Sequence, residues 1–349
     1  MAMSIGLWLG VSCTNEELPV EQADNSISFS TEMGGLDTQA ITRATGTELS
    51  EMGVYAFYTA QNSWSQYPIP GTGANFMNNE EVTKTGNNWT YSPVKYWPNN
   101  IGDKLSFIAY SPYNEETEIA NDALVIPHAV PSDVTYHTDL LWDYQLDKEK
   151  KDGTVLFVFK HALARVGFKV QVQLDEEELS EDIDGVEVKV NKIILSKTEC
   201  TGEETSAEDG PFYTNGTLNL PLKDQQATWS EKTGEQGFYL DKDNFIAANN
   251  ATSTMAQLNK DDSYMLVIPQ ENVDFNLFVQ YEVTVSVNDG KTKTYTNNEN
   301  QPISAQEFLA GKAYSYNLIL GLYNMKVASL EIVDFVEGED YNDDIKVEL

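Results

Sequence analysis

A chain of 349 residues is long enough for about two compact domains, and 18 tyrosines with 14 phenylalanines supply bulk for two cores. Fifty-five acidic against 22 basic residues give a formal charge of −33, which repels phosphate backbones and anionic lipid headgroups and argues against a nucleic-acid partner. The two cysteines, Cys13 and Cys200, exclude a disulfide framework, and no stretch reaches the roughly 18–20 apolar residues that cross a bilayer as a helix.

In chain order, the first signal is an apolar run ending at Leu9-Gly10-Val11-Ser12-Cys13, followed by polar Thr14-Asn15-Glu16-Glu17. This is the form of a bacterial lipoprotein signal, in which residues 1–13 end at a lipidated cysteine and everything before Cys13 is discarded. The positively charged segment that opens such signals is missing, which points to a start placed too far downstream or to a trimmed sequence; the competing reading is a frayed apolar terminus. Next comes Ile41-Thr42-Arg43-Ala44-Thr45-Gly46, small and turn-forming residues between two strand-like runs. Proteolysis concentrates in such exposed segments, so cleavage between Arg43 and Ala44 is expected, against the alternative of an uncut linker. Residues 14–43 would then be a propeptide carrying the alternating strand Ser26-Ile27-Ser28-Phe29-Ser30.

Period-two patterns continue at Met52 to Tyr58, Leu105 to Tyr110, Thr154 to Phe159, Val166 to Val172, Val186 to Leu195, Tyr264 to Ile268, Phe275 to Val287, Tyr314 to Leu320 and Ala328 to Phe335. Turn chemistry separates them, as at Pro98-Asn99-Asn100, Asn215-Gly216, Asp289-Gly290 and Asn297 to Asn300. Helical signals are few, with Thr252 to Leu258 and Ser304 to Leu309 expected to form a turn or two each. The chain therefore reads as all-β: two tandem β-sandwiches over 44–175 and 176–349, divided at the acidic, loop-like Asp175 to Gly185.

Candidate chemistry is sparse. There is no Gly-x-Ser-x-Gly, phosphate-binding glycine loop or His-Glu-x-x-His, so no enzyme class is indicated and no cofactor is implied. His128 and His137, nine residues apart in a loop-like region, lack a third clear ligand, so no metal site is assigned. Asp241-Lys242-Asp243-Asn244 carries part of a calcium-loop spacing without its glycine and distal glutamate. Tyr96 and Trp97 invite a sugar-stacking reading, but Trp97 precedes a turn and the apolar Leu105, Phe107 and Ala109, which favours a packed aromatic. His161, with no nucleophile motif beside it, reads as a hydrogen-bonded buried histidine.

Several segments, taken in order, resemble the fimbrillin superfamily of Bacteroidetes, the subunits of type V pili. They are Lys95-Tyr96-Trp97-Pro98 with Leu105 to Pro112, Asp139-Leu140-Leu141-Trp142, Phe159 to Val166, Leu266-Val267-Ile268-Pro269-Gln270, and Gly311 to Leu318. The resemblance covers nearly the whole chain. It implies transthyretin-like sandwich domains, export as an outer-membrane lipoprotein held by lipid only, trimming by an arginine-specific protease, and polymerisation by strand exchange with copies of itself or related pilin subunits, serving adhesion to a host or bacterial receptor.

The residues supply a physical logic for that implication. Cleavage after Arg43 would remove the strand bearing Ile27 and Phe29 and expose its groove with unpaired strand edges. A neighbouring subunit could refill it with a donor strand, the candidates being Ala328 to Phe335, through Leu330 and Ile332, and Asp343 to Leu349, through Ile345, Val347 and Leu349. The last segment could equally be an ordinary edge strand. The rival function is a lipid-anchored surface glycan-binding protein.

Overall fold

A computed structural model describes residues 25–33, 49–68, 73–175, 183–248, 250–258, 264–287, 290–335 and 345–347. The strands are β1 (Phe29–Met33), β2 (Glu51–Ala60), β3 (Met77–Thr85), β4 (Asn88–Thr90), β5 (Lys104–Ser111), β6 (Glu118–Ala120), β7 (Ala123–Ala129), β8 (Leu141–Glu149), β9 (Val155–His161), β10 (Ala164–Val172) and β11 (Ile183–Ser196). They continue as β12 (Asn215–Pro221), β13 (Thr228–Thr233), β14 (Phe238–Ala248), β15 (Ala256–Gln257), β16 (Met265–Val267), β17 (Gln270–Val287), β18 (Thr292–Phe308), β19 (Lys312–Leu320), β20 (Met325–Asp334) and β21 (Ile345–Val347). Helical structure among the described residues is confined to short 3-10 turns such as Val134–Tyr136, so the fold is all-β as expected.

Four sheets result. The first runs β1-β9-β8-β5-β2-β3-β4, the second β15-β10-β19-β20-β21 with β16 also on β10, the third β14-β11-β17-β18 and the fourth β13-β12-β7-β6. Residues Leu105 to Tyr110 are buried without a break because the first sheet packs on both faces. Leu105, Phe107 and Ala109 enter one core with Met52, Val54 and Ala56; Ile108 and Tyr110 enter a larger core with Tyr55 and Phe57. The fourth sheet joins early and late chain, pairing β7 with β12 from Ala123↔Pro221 to Ala129↔Asn215. By pairing, β10 goes with later strands, antiparallel to β16 and parallel to β19.

Four local expectations are corrected: Asn215-Gly216 opens β12 and Asn297 to Asn300 lie within β18, so these are paired strand residues and not turns. Ser304 to Leu309 is no helix: β18 runs to Phe308, with Gln306 opposite Val273 and Phe308 opposite Gln270. Its Ala-Gln-Glu stretch has helix-forming composition, but Gln306 and Phe308 are buried at period two, and Ala305 at φ 53° marks the irregularity that brings them inward. Sheet burial overrides local propensity here. Thr252 to Leu258 is likewise extended: Thr252 bridges Gln173, and Ala256 and Gln257 pair with β10.

Candidate functional site

The site is the seat of the N-terminal strand. β1 lies parallel to β9 at the edge of the first sheet, from Phe29↔Val155 to Met33↔Phe159. The residues before it are held on two sides. Val155 N donates to Ser28 O at 2.9 Å, while Ile27 N donates to Lys95 O at 2.9 Å and Trp97 N donates to Asn25 O at 3.0 Å. The Tyr91 hydroxyl donates to Ile27 O at 2.8 Å, and the Ser28 and Thr154 hydroxyls lie 2.9 Å apart.

Alternation then sends Ile27, Phe29 and Met33 inward, where all three are buried in the same core as Phe107, Leu141, Phe157 and Phe159. Phe29 meets Phe157 at 5.7 Å, Tyr91 at 5.5 Å and Phe107 at 6.0 Å between ring centroids. Each such side chain contributes about 1.5–3 kcal/mol when fully buried. Without this segment, β9 would lose its outer ladder, Lys95 and Trp97 their backbone partners, and the core one of its walls.

Ile27 and Phe29 thus sit where the sequence pattern puts them. Met33, Tyr91 and the Lys95–Trp97 backbone were missed; continued alternation through Met33 was the available signal, whereas the loop contacts follow no periodicity. Trp97 is 5 % exposed and packs edge-on against Phe107 at 6.1 Å, so it is a core aromatic. Cys13, Arg43, Ala44 and Leu349 lie outside the described residues.

The C-terminal candidates occupy the second sheet. Leu330 is buried opposite Tyr316 and Ile332 is half-buried opposite Tyr314, so β20 is an integral strand. Its Glu331 accepts from Lys169 Nζ at 2.5 Å and from Asn317 Nδ2 at 2.6 Å. β21 adds outside it, Ile345 opposite Ile332 and Val347 opposite Leu330. Both ends of the described chain are therefore edge strands, each on its own sheet.

The remaining motif residues converge on the interior. Asp139 accepts from His161 Nδ1, both buried, and from Leu140 N at 2.8 Å. His161 stacks on Phe335 at 3.6 Å, and the Arg165 guanidinium lies 4.4 Å from the rings of Phe335 and Tyr264. His137 accepts from Leu266 N through Nδ1 at 2.8 Å and donates through Nε2 to Pro131 O at 2.8 Å, which fixes a neutral ring. Burial pushes the His128 and His137 rings down to about 4. Asp241 to Asn244 run within β14, an extended strand rather than a calcium loop. Cys200 is a free buried thiol, pushed up by burial.

With this geometry in view, comparison with known proteins is decisive: residues 42–334 match the fimbrillin-like family. The chain belongs to that family. A curated relative, the fimbrium subunit Fim1C of Phocaeicola vulgatus, is 26 % identical over 386 aligned positions, covering 96 % of this chain and 95 % of that protein. The crystal structure of a fimbrial protein from Bacteroides vulgatus shares the fold, with a TM-score of 0.61 and 18 % identity over 89 % of this chain and 99 % of that one. Membership makes this fimbrillin-like chain a structural protein, not an enzyme.

Proposed function

We propose that the chain is a subunit of a cell-surface fimbria, routed to the outer membrane as a lipoprotein through Cys13, cut between Arg43 and Ala44, and polymerised by donor-strand exchange. The observation that carries this reading is the seat of residues 25–33, an edge segment that plugs a core with Ile27, Phe29 and Met33. An edge strand is the least connected part of a sheet, and a groove emptied of it presents both a backbone ladder and an apolar slot. The donor is the Asp343 to Leu349 segment rather than β20, because Leu330 and Glu331 are tied into their own sheet. Partners are further copies or related pilin subunits, with adhesion to a host or bacterial receptor as the end use.

The arginine content supports selective trimming. Arg43 and Arg165 are the chain's two arginines, and Arg165 sits within β10, paired on both sides and stacked on two rings. Arginine-specific proteolysis of the purified chain, followed by mass spectrometry and electron microscopy, tests the proposal. Cleavage after Arg43 followed by fibres is expected; a cleaved chain that stays monomeric in the presence of intact subunits overturns strand exchange.

A further inference from the structure

An open cavity of about 740 Å3, bounded by the first, second and fourth sheets, has Trp142, Lys160, His161, Gln225, Gln226 and Trp229 among its lining residues. Its aromatic wall is fixed in place. Trp229 Nε1 donates to Ala162 O at 2.9 Å, and the indole lies over Gly216 of the neighbouring β12, where an added Cβ would come within 3.0 Å of the ring. Trp229 is nevertheless only half-buried. Beside it the Lys160 ammonium lies 4.8 Å from the Trp142 ring. His161 spends Nδ1 on Asp139, and its buried Nε2 has no hydrogen-bond partner among the described residues. Gln225 and Gln226 bring two exposed amides to the rim on the turn between β12 and β13, Gln225 with φ at 53°.

We propose that this cavity binds a neutral saccharide. A pyranose ring offers an apolar C–H face to an indole that is anchored through Nε1 and half-exposed in the cavity wall. Its hydroxyls both donate and accept, as the two glutamine amides require. The formal charge of −33 selects against anionic sugars. The inference is independent of how subunits are joined, since the cavity lies within one chain.

The test uses the labelled full chain on an array of neutral and acidic oligosaccharides, followed by fluorescence titration with the best neutral ligand. Saturable binding to a neutral glycan is expected, weakened about tenfold, or roughly 1.4 kcal/mol, in Trp229→Ala. Tyr136→Ser, at an aromatic 71 % exposed and not lining the cavity, leaves affinity unchanged. Should Trp229→Ala fail to fold, the Gln225→Ala, Gln226→Ala double variant decides, because its changes lie on an exposed turn; it is expected to bind several-fold more weakly. Absence of any neutral ligand, binding restricted to acidic glycans, or full affinity in the folded cavity variants overturns the proposal.

Discussion

Phe29 stacks on Phe157 across the parallel β1–β9 pair, ring centroids 5.7 Å apart and planes inclined by 25°. Phe107 meets the same ring edge-on, so one side chain joins the N-terminal strand to the centre of the first sheet. Phe29→Ala is expected to destabilise the uncut chain by about 3–5 kcal/mol, the range for deleting a buried phenylalanine. Ser28→Ala, at an exposed neighbour, should cost under about 1 kcal/mol. Denaturant melts of both variants decide this; an unshifted Phe29→Ala midpoint would detach the strand from the core.

Arg43→Ala should survive arginine-specific protease as a monomer, since Ile27, Phe29 and Met33 then stay in their own groove and Arg165 is shielded within its sheet. Gel filtration after digestion is the measurement. Fibres formed from the uncut variant would show that cleavage here is not the trigger.

The legible parts of the chain were those whose burial is periodic. The apolar runs at Met52 to Tyr58 and Leu105 to Tyr110 announced strands, but not that their alternate residues feed two different cores. The centre of polar β18, Asn297 to Asn300, reads as a turn cluster in the sequence, because pairing with β17 rather than apolar content holds that strand in place. At the site, Ile27 and Phe29 were visible through alternation, whereas Tyr91 reaches Ile27 O from a loop, and a side-chain hydrogen bond to a distant carbonyl leaves no trace in local pattern.

Asp139 and His161 form a buried pair between the start of β8 and the end of β9. Asp139→Ala strips His161 Nδ1 and Leu140 N of their acceptor together and should cost about 3–5 kcal/mol, the range for breaking a buried pair from one side. Replacing both partners, as Asp139→Leu with His161→Phe, should recover part of that loss because neither polar group is left orphaned. A double-mutant cycle by chemical denaturation measures it; additive losses would show the two side chains to be uncoupled.

Acid should destabilise the chain through His128 and His137. The His128 and His137 rings have folded values of about 4 against an ordinary 6.5, so between those limits the unfolded chain binds more protons than the folded one. Stability from this source is fully present above 6.5 and is lost as pH falls toward 4. Melting temperature recorded from pH 7 to pH 4 should fall, and His137→Gln, which keeps hydrogen-bonding capacity without a titrating ring, should flatten that fall even where it lowers the plateau. An identical slope in the variant would assign the acid sensitivity elsewhere.

Deleting Tyr341 to Leu349 separates folding from assembly. In the described chain Ile345 to Val347 add a short strand at the edge of β20, while Leu330 and Tyr316 pair with each other within the sheet and are buried. The truncated chain should therefore melt within about 1 kcal/mol of the full one, as expected for losing a three-residue edge strand. Assembly should suffer far more, because an incoming strand lacking Ile345, Val347 and Leu349 forfeits three apolar anchors worth about 1.5–3 kcal/mol each in a groove shaped for Ile27, Phe29 and Met33. A thermal melt of the truncated monomer and fibre formation after Arg43 cleavage read the two effects apart. Normal fibres would move the donor to Ala328 to Phe335, at the cost of explaining how Leu330 leaves its own core, and loss of the folded monomer would show that the terminal segment belongs to its own domain's core.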